Sequence, residues 1–580
     1  MPLHRALDQL ALLATIRGDA AATALFSQAS ALVQSLNVQS DADLGPLLNE
    51  PPPGIDPEIL RQLRYMYEAG GWVLLESAIA DLPVDLRWLF ESGAVTIEQL
   101  AALHAALGVT TYADLIAEAA RGAIRRVPGF DETVEAAIAA TLPTLRGAVA
   151  RIPLGRAMSL ADPFLTTLRE TPGIEWAEPV GSLRRGQDMV GDIEIVASAA
   201  DPAAAFDGIL GLPDIAHTLH RGPRRLYLLT DRVQIGVRCP PPEAAGATLL
   251  HLTGTVAHIQ QLGTLARTRG WTLEPEGLRR TDPDADATGI ARDVARIGAS
   301  ESAMYSALDL PWIPPEIRNG DDEVTAAAEG RLPTLLSRKD IRGDLHMHTT
   351  WSDGRDSTAA MAAACAALGY EYIAITDHSP HAASSRTLTA DSVKRQAQEI
   401  AALRERHPHM TILHGCEVDI MADGKLDFSD RILERFDVVL ASLHERLGNS
   451  PAQLLNRYLA AMRHPLVTLI THPTNRLIPY RPGYDLDYDQ LFAAAVETRT
   501  AMEIDGAPPH LDMDGALARR AIAAGVTVSV DSDGHRADAL DRQMALGVIT
   551  ARRGWVEPRH VLNARPIAEV QAFISAKRAR

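Results

Sequence analysis

The distribution of apolar residues along the first half of the chain changes character once. Residues 1 to about 150 alternate alanine- and leucine-rich stretches with short Gly/Pro breaks, which is typical of packed helices. From Ile174 onward short β-type runs take over, and they lie at residues 191–196, 225–229 and 233–237. A helix-rich stretch follows and ends at Pro311–Pro315. This half of the chain therefore predicts a helical region followed by an α+β region.

After Asp340 the pattern becomes a regular alternation of short apolar strands and helical stretches. The predicted strands are Tyr372–Ile375, Thr411–Leu413, Val438–Leu440, Leu469–Ile470, Ala501–Ile504 and Val526–Val528. Repeated strand–helix units of this length predict a parallel barrel or an open parallel sheet. The C-terminal part of the chain is thus of the α/β class.

Composition limits the number of domains and the class of protein. A chain of 580 residues predicts two to four domains, and 46% hydrophobic with 22% charged residues is typical of globular proteins. No apolar run is long enough for a membrane span. The cysteines Cys239, Cys365 and Cys416 have no paired spacing, so we expect a reducing compartment, the cytoplasm. The net charge of −18 argues against a nucleic-acid-binding surface over the whole protein, although a local basic groove stays open.

Potential metal ligands follow the strands of the C-terminal part. Because the carboxyl ends of barrel strands converge on one face, these side chains are expected to meet. His346 and His348 are two residues apart, which places both on the same side of an extended segment. The complete candidate set is His346, His348, Asp353, His378, Glu417, His444, His472, Asp533 and His535.

The chemistry of this set indicates phosphoester hydrolysis. Imidazole suits zinc and iron, and mixed carboxylate ligation also admits manganese. Nine candidate ligands exceed the need of one ion, and a carboxylate such as Glu417 can bridge two. Clustered metals activate water, hold a phosphate and stabilise the leaving oxygen.

These motifs make residues 341–540 resemble the PHP (polymerase and histidinol phosphatase) family. The matching segments are Asp344–Thr349, Thr376–Ser379, Gly415–Val418, Ser442–His444, Thr471–Pro473 and Ser532–His535. The resemblance implies a distorted (β/α)7 barrel with three metal ions, expected to be Mn²⁺ or Zn²⁺. It implies one ion on His346, His348, Glu417 and Asp533, a second on Glu417, His444 and His472, and a third on Asp353, His378 and His535. Asp531 is the nearby alternative to Asp533.

The first half resembles the nucleotidyltransferase palm of family X DNA polymerases. The segments that carry this resemblance are Gly181–Gly186 and Gly191–Glu194. It implies that Gly181, Ser182, Arg184 and Arg185 cradle a triphosphate, and that Asp192 and Glu194 are metal carboxylates. The order of segments then implies a helical N-terminal domain (1–85), a helix-hairpin-helix domain (86–150), a palm (151–240), a thumb (241–320), a linker (321–340) and the PHP domain (341–580).

The departures from the family pattern predict an impaired polymerase site. Glu194 stands where the family has aspartate, which makes Mg²⁺ binding doubtful because this ion demands near-ideal geometry. The third carboxylate is replaced by Gly236. The nucleotide-binding segment His251–Thr255 keeps Gly254 and lacks its aromatic residues.

The DNA-binding part also departs from the pattern. In the hairpin Val127–Asp131, Gly129 is present, whereas Asp131 replaces the second glycine. Such glycines let backbone N–H groups approach a DNA phosphate. Residues 1–150 contain no lysine, so we expect no Schiff-base lyase activity.

The leading interpretation is a monomeric DNA repair protein whose PHP domain cleaves DNA phosphoesters. By resemblance this activity is a 3′–5′ exonuclease, with abasic-site endonuclease or 3′-phosphatase action on gapped, nicked or abasic DNA. One alternative is an active gap-filling polymerase with PHP proofreading. A second alternative is a small-molecule phosphatase of the histidinol-phosphatase type, and a third is a non-enzymatic DNA-end scaffold.

Overall fold

The structure, a computed structural model, describes most of the chain. From residue 151 to residue 580 it describes all positions apart from 214, 216, 231–232, 282–295, 383–385 and 445–448. Before that it describes 3–16, 19–36, 38, 44, 46–48, 51–52, 54–69, 95–109, 118–119 and 121–141. Two compact units emerge, one centred on Met1–Ala148 and one on Val149–Arg580. Within these ranges, none of the helices combines the length and the apolar character of a membrane span.

The described residues of the first unit are helical, as predicted. Leu7, Leu10 and Leu13 recur at one-turn spacing and are buried together with Leu63 and Leu100. The expected domain boundary at residue 85 lies outside the described residues. The same is true of most of residues 90–95, where the resemblance places another helix-hairpin-helix turn. The helices are Leu3–Ile16, Ala20–Ser35, Pro57–Ala69, Ile97–Leu107 and Glu132–Thr141, with a 3-10 turn at Ile124–Arg126.

The second unit begins with a five-stranded sheet whose strands lie in the order β2 (Ile174–Pro179), β4 (Ile193–Ala199), β7 (Val233–Arg238), β6 (Arg225–Thr230) and β5 (His217–Arg221). Within this sheet β4 and β7 are parallel, and the other neighbouring pairs are antiparallel. Ile193, Ile195 and Ala197 of β4 alternate inward and pack against the helix Leu154–Glu170. The other helices here are Gly181–Arg184 and Ala203–Leu210. Two further strands, β1 (Ile152–Pro153) and β3 (Met189–Val190), pair with each other antiparallel in a separate sheet.

A helical layer with a small antiparallel sheet follows. Its strands are β8 (Trp271–Glu274), β9 (Gly277–Arg280) and β10 (Arg296–Ile297), and its helices are Pro242–Thr253, Val256–Thr268, Glu301–Ala307 and Glu323–Ala328. The last helix lies inside the predicted linker, where Val324 and Leu336 are buried. The predicted linker segment is therefore packed into the unit, and it ends at the 3-10 turn Arg338–Asp340.

The C-terminal part is a seven-stranded parallel sheet in sequence order, as the α/β prediction requires. Its strands are β11 (Gly343–Asp344), β12 (Tyr372–Ile375), β13 (Thr411–Asp419), β14 (Val438–Ser442), β15 (Val467–Ile470), β16 (Ala501–Asp505) and β17 (Val528–Asp531). A parallel bridge between Met347 and Gly534 joins the two edges, so that the sheet is nearly closed into a barrel. Strand β13 is longer than predicted, and β17 begins two residues later.

Two apolar layers hold the barrel. Ile373 and Ile375 point outward to the surrounding helices, whereas Tyr372 and Ala374 point inward. The C-terminal helix Ile567–Arg578 supplies Val570 and Ile574 to the inner layer, beside residues that begin strands. This helix therefore covers the amino end of the barrel and leaves the carboxyl end for polar groups. The outer helices are Thr358–Ala367, Ala390–Arg406, Asp430–Leu433, Pro451–Arg463, Tyr488–Thr498, Gly515–Ala523 and Leu540–Arg553.

Candidate metal centre

The carboxyl ends of the barrel strands carry the predicted ligands to one place. His472 lies two residues beyond β15, and Asp533 lies two residues beyond β17. His378 follows β12 by three residues, whereas Glu417 lies inside the long strand β13. Since all seven strands are parallel, these positions share one end of the barrel.

A first cluster forms around His346 and His348, whose side chains are fully buried. Their Nε2 atoms are 3.1 Å apart, and His348 Nε2 lies 3.1 Å from Asp533 Oδ1. Both Nε2 atoms also lie 3.4 Å from Glu417 Oε2. Two imidazole nitrogens and two carboxylates thus converge on one point, which is the arrangement of a metal-binding site.

Glu417 contacts histidines with both of its oxygens. Its Oε2 lies 3.0 Å from His378 Nδ1, and its Oε1 lies 2.8 Å from His472 Nε2. His444 completes a group with His378 and Glu417, in which the potential ligand atoms all lie within 4.8 Å of one another. This geometry agrees with the bridging role that the sequence predicts for Glu417.

Asp353 is the centre of a third cluster. Its two oxygens lie 3.4 Å from His378 Nε2 and 3.3 Å from His535 Nε2. His348 belongs to the same group of potential ligand atoms. This cluster is more open than the first, because the side chains of His535 and Asp353 are 36% and 27% exposed.

All nine predicted residues are therefore brought together at the carboxyl end of the barrel. Asp531, the alternative to Asp533, accepts a hydrogen bond from the Leu345 backbone N–H and joins none of the ligand groups of the described residues. His472 and Asp533 adopt left-handed backbone conformations with φ of 25° and 48°. Such conformations are costly for residues other than glycine, and they cluster at functional sites.

The electrostatics of the centre keep its carboxylates ionised. Burial would raise the pKa of Glu417, but His378 and His346 outweigh burial and hold this pKa well below its ordinary value. The pKa of Asp353 is likewise held well below its ordinary value, against burial, by His378 and His535. An ionised carboxylate is the form that binds a cation.

Behind the predicted ligands lies a further buried carboxylate, that of Glu503, which orients two of them. The sequence analysis did not identify it. Glu503 Oε1 lies 2.7 Å from His346 Nδ1, and its Oε2 accepts a hydrogen bond from the His472 backbone N–H. Carboxylate contacts of this kind fix the tautomer of a ligating histidine and raise its basicity. A signal existed in the sequence, because Glu503 interrupts the apolar strand β16.

The donor set fits divalent transition metals. Imidazole nitrogens and carboxylate oxygens are the ligands that Zn²⁺, Mn²⁺ and Fe²⁺ share in proteins. The structure thus agrees with the predicted nitrogen and oxygen ligands.

The carboxylates of the other predicted site have different neighbours. Asp192 is exposed and precedes strand β4. Glu194 lies on β4, and the Arg238 guanidinium contacts both of its oxygens at 2.8 and 2.9 Å. No group of metal-ligating side chains forms around them in the part of the chain that the structure describes. The Arg238 guanidinium thus neutralises the charge of Glu194, which a metal ion would do in a polymerase site.

Gly236, at the predicted third carboxylate position, is covered by an aromatic ring. It is paired with Glu194 across the β4–β7 ladder and with Tyr227 across the β6–β7 ladder. A Cβ atom at Gly236 would lie 2.7 Å from Tyr227 Cε1 and 3.2 Å from Glu194 Cγ. The space of the missing carboxylate is therefore filled by Tyr227.

The predicted phosphate-binding residues make structural contacts. Gly181 has φ +62° and begins the short helix on which Ser182 lies. Arg184 pairs with Glu301 at 2.8 Å, and Arg185 donates a 2.6 Å hydrogen bond to the Thr253 carbonyl oxygen. Both arginines are therefore engaged in contacts within the protein, at positions where the resemblance implies binding of a triphosphate.

Gly254 ends the helix Pro242–Thr253. It allows a close approach to the His258 ring, because a Cβ atom there would lie 2.7 Å from His258 Cδ2. This glycine therefore has a packing role in addition to the nucleotide-binding role that the resemblance implies.

The predicted DNA-binding hairpin Val127–Asp131 also makes hydrogen bonds within its own unit. Gly129 has φ +88°, which favours glycine, and the Asp131 carboxylate accepts a hydrogen bond from the Val134 N–H at 2.8 Å. Asp131 thus caps the helix Glu132–Thr141 at the place where the family pattern expects a second glycine. The neighbouring Arg125 is paired with Glu135.

Comparisons with known proteins match different parts of the chain to different proteins. Residues 248–319 match the DNA polymerase beta thumb family, and residues 344–503 match the PHP domain family. The chain is 33% identical over 503 residues to the DNA polymerase/3'-5' exonuclease PolX of Bacillus subtilis, with 86% of each chain covered. It is 30% identical over 223 residues to a probable phosphatase of Syntrophotalea carbinolica, covering 35% of this chain and 88% of that protein. A solved structure of Leishmania infantum polymerase beta in a ternary P/T complex is 17% identical, with a TM-score of 0.26, and covers 41% of this chain and 99% of that one.

Proposed function

Because the chain belongs to the bacterial family X DNA polymerases that carry a PHP domain, we propose that its working activity is metal-dependent hydrolysis of DNA phosphodiesters at the PHP centre. In this proposal the protein is a 3′–5′ exonuclease, and templated synthesis by the palm is absent or feeble. The observation that carries the proposal is the convergence of nine potential ligands at one end of the barrel, with Glu417 contacting histidines through both oxygens.

The buried and the partly exposed residues of the centre have different proposed roles. His346 and His348 are fully buried and serve to hold an ion in place, with Glu503 fixing the ring of His346. Asp353 and His535 are partly exposed, so they form the side from which a DNA phosphate enters. When bound, the cations activate water and stabilise the charge on the phosphate.

The proposed loss of polymerase activity rests on the neighbours of Glu194. Phosphoryl transfer depends almost entirely on positioning and charge neutralisation by metal ions. In this palm Arg238 already neutralises Glu194, and Tyr227 fills the space over Gly236. A pair of Mg²⁺ ions would have to displace the guanidinium and would lack a third carboxylate.

The remaining parts of the proposal concern partners and setting. We assign Mn²⁺ or Zn²⁺ to the centre, with up to three ions, and DNA ends at gaps, nicks or abasic sites as substrates. Abasic-site cleavage and 3′-phosphatase action belong to the same proposal, since all of these reactions hydrolyse a phosphoester. The protein would act as a monomer in the cytoplasm.

The test is a comparison of substrates with purified full-length protein loaded with Mn²⁺. A 5′-labelled single-stranded oligonucleotide reports exonuclease action, and histidinol phosphate reports the alternative small-molecule activity. Wild type is compared with His378→Ala and with His414→Gln. His414 is a matched control, because it is buried in the same barrel, bonds to Gln396 and belongs to none of the ligand groups of the described residues.

We expect stepwise shortening from the 3′ end by wild type and His414→Gln, and its loss in His378→Ala. Hydrolysis of histidinol phosphate without cleavage of the oligonucleotide would replace the proposal by the phosphatase alternative. Shortening that persists undiminished in His378→Ala would show that the PHP centre is not responsible.

A further inference from the structure

A fourth group of potential ligands lies beside the nine already described. It consists of Asp505, His510 and Asp533, whose potential ligand atoms all lie within 4.8 Å of one another. Asp505 is the last residue of β16. Asp533 follows β17, the strand that pairs with β16. The first two residues belong to none of the motifs that identify the PHP resemblance.

The ring of His510 is held with one nitrogen directed away from the backbone. His510 Nδ1 lies 3.0 Å from the Arg476 carbonyl oxygen, and Arg476 Nε donates a 2.9 Å hydrogen bond back to the His510 carbonyl. A carbonyl oxygen can only accept, so Nδ1 carries the proton and Nε2 retains its lone pair. This is the tautomer of a metal-ligating histidine whose other nitrogen is hydrogen-bonded to the backbone.

The position of His510 is fixed further by its neighbours. Its ring stacks on His472, a predicted ligand, with ring centroids 5.4 Å apart and an interplanar angle of 23°. Arg476 is itself anchored by Asp188 at 2.8 Å. His510 is therefore a positioned side chain next to the centre, and it is half-buried, so solvent reaches it.

Asp505 supplies a buried oxygen with no hydrogen-bond partner. The residue is 0% exposed, and its Oδ1 accepts a 2.6 Å hydrogen bond from the Ala507 N–H. Among the described residues nothing donates to its Oδ2. A buried carboxylate oxygen without a partner is costly, and a second carboxylate, Asp533, lies nearby. A cation between the two acids would satisfy both.

We propose that Asp505, His510 and Asp533 bind an additional divalent transition-metal ion, of the Mn²⁺ or Zn²⁺ class. The donor set of one imidazole and two carboxylates suits these ions. Three protein ligands leave coordination positions open, which water or a phosphate oxygen can fill. The inference rests on the proposed metal centre, because Asp533 is shared between the two.

The experiment counts metal ions. Full-length protein is stripped with a chelator, reloaded with Mn²⁺, separated from free metal and analysed for manganese per chain by mass spectrometry. Wild type is compared with His510→Gln, Asp505→Asn and the control His414→Gln, and circular dichroism checks that each variant is folded. A crystal of reloaded wild type gives a second measurement, since anomalous scattering locates manganese directly.

We expect His510→Gln and Asp505→Asn each to bind one ion fewer than wild type, and His414→Gln to equal wild type. An anomalous peak within coordination distance of Asp505 and His510 is expected in the wild-type crystal. Equal ion counts in wild type and both variants, with no such peak, would overturn this site and leave the proposed centre intact. Wild type that binds no manganese would overturn both.

Discussion

The barrel and the palm each place carboxylates on parallel strands, but the neighbours of these carboxylates differ. In the barrel, both oxygens of Glu417 face imidazole nitrogens, and the potential ligand atoms lie close together in groups. In the palm, Glu194 faces the guanidinium of Arg238, and the place of another carboxylate is occupied by Tyr227.

In the proposed function, the barrel centre is the working site, whereas the palm keeps the fold of a phosphoryl-transfer site without its activity. With glycine at position 236, the Tyr227 ring of the neighbouring strand can pack over it. The Arg238 guanidinium can likewise take the place of a metal ion beside Glu194. Such contacts contribute to the packing of the sheet around Gly236.

The largest effect is expected for Glu417→Gln. The amide keeps the size of the side chain but removes the charge that contacts four histidines, so metal binding and hydrolysis should both fall. Loss of several kcal/mol of transition-state stabilisation corresponds to about a thousand-fold or more in rate. The measurement is the Mn²⁺-dependent shortening of a labelled oligonucleotide. A rate within a few-fold of wild type would show that Glu417 has no ligand role.

A smaller effect is expected for Glu503→Gln. Glu503 does not face the centre directly but orients the His346 ring through a 2.7 Å contact. Removing an outer carboxylate of this kind typically costs about 10–100-fold in metal affinity or activity. Titration of the chelator-stripped variant with Mn²⁺ should show the weaker binding, and excess metal should recover part of the activity. No change in Mn²⁺ affinity would mean that the contact is only structural.

Beside the palm, in the thumb-like layer, Glu301→Gln should change stability without affecting hydrolysis. Burial would raise the pKa of Glu301, but Arg318 and Arg184 hold it at about 2, below its ordinary value of 4.5. Since the folded-state pKa is depressed, the stabilisation is present above about pH 4.5 and is lost as the pH falls toward 2. Leaving buried Arg318 without its partner should cost about 3–5 kcal/mol at neutral pH.

The measurement is urea unfolding of wild type and Glu301→Gln between neutral and acidic pH. The stability difference should shrink as the pH falls below the ordinary pKa of glutamate. Equal stability of the two proteins at neutral pH would show that this ion pair does not support the fold. Unchanged oligonucleotide shortening by the folded variant is the control.

The smallest effect is expected for Gly236→Asp, the substitution that restores the third carboxylate position. The new Cβ atom would lie 2.7 Å from the Tyr227 ring, and such overpacking costs about 1–3 kcal/mol. No polymerase activity should appear. The double variant Gly236→Asp/Tyr227→Ser removes the clash, so its melting temperature should exceed that of the single variant. If Gly236→Asp alone polymerises nucleotides, the palm is not blocked by Tyr227.

The barrel and its ligands could be predicted because both follow from local patterns. Short apolar strands followed by His, Asp or Glu indicate the fold and the site together, and the carboxyl ends of parallel strands must meet. Asp505 ends a predicted strand in the same way and could have been included, whereas Glu503 lies inside its strand. His510 could not be placed, since its position depends on reciprocal hydrogen bonds with Arg476.

The palm shows the limit of sequence reasoning. The absence of a carboxylate at Gly236 is visible in the sequence, but the contacts that replace it are not. Arg238 and Glu194 are 44 residues apart, and Arg184 and Glu301 are 117 residues apart. Pairings at such separations depend on strand register and on packing between layers, which no local pattern determines.

The most direct measurement is a Mn²⁺-supplemented assay on a 5′-labelled gapped primer–template, with and without nucleotides. Wild type, His346→Ala and Asp192→Ala are compared side by side. We expect primer shortening by wild type and Asp192→Ala, no shortening by His346→Ala, and no extension by any of them. Extension by wild type that is abolished in Asp192→Ala would contradict the account and show that the palm is a working polymerase.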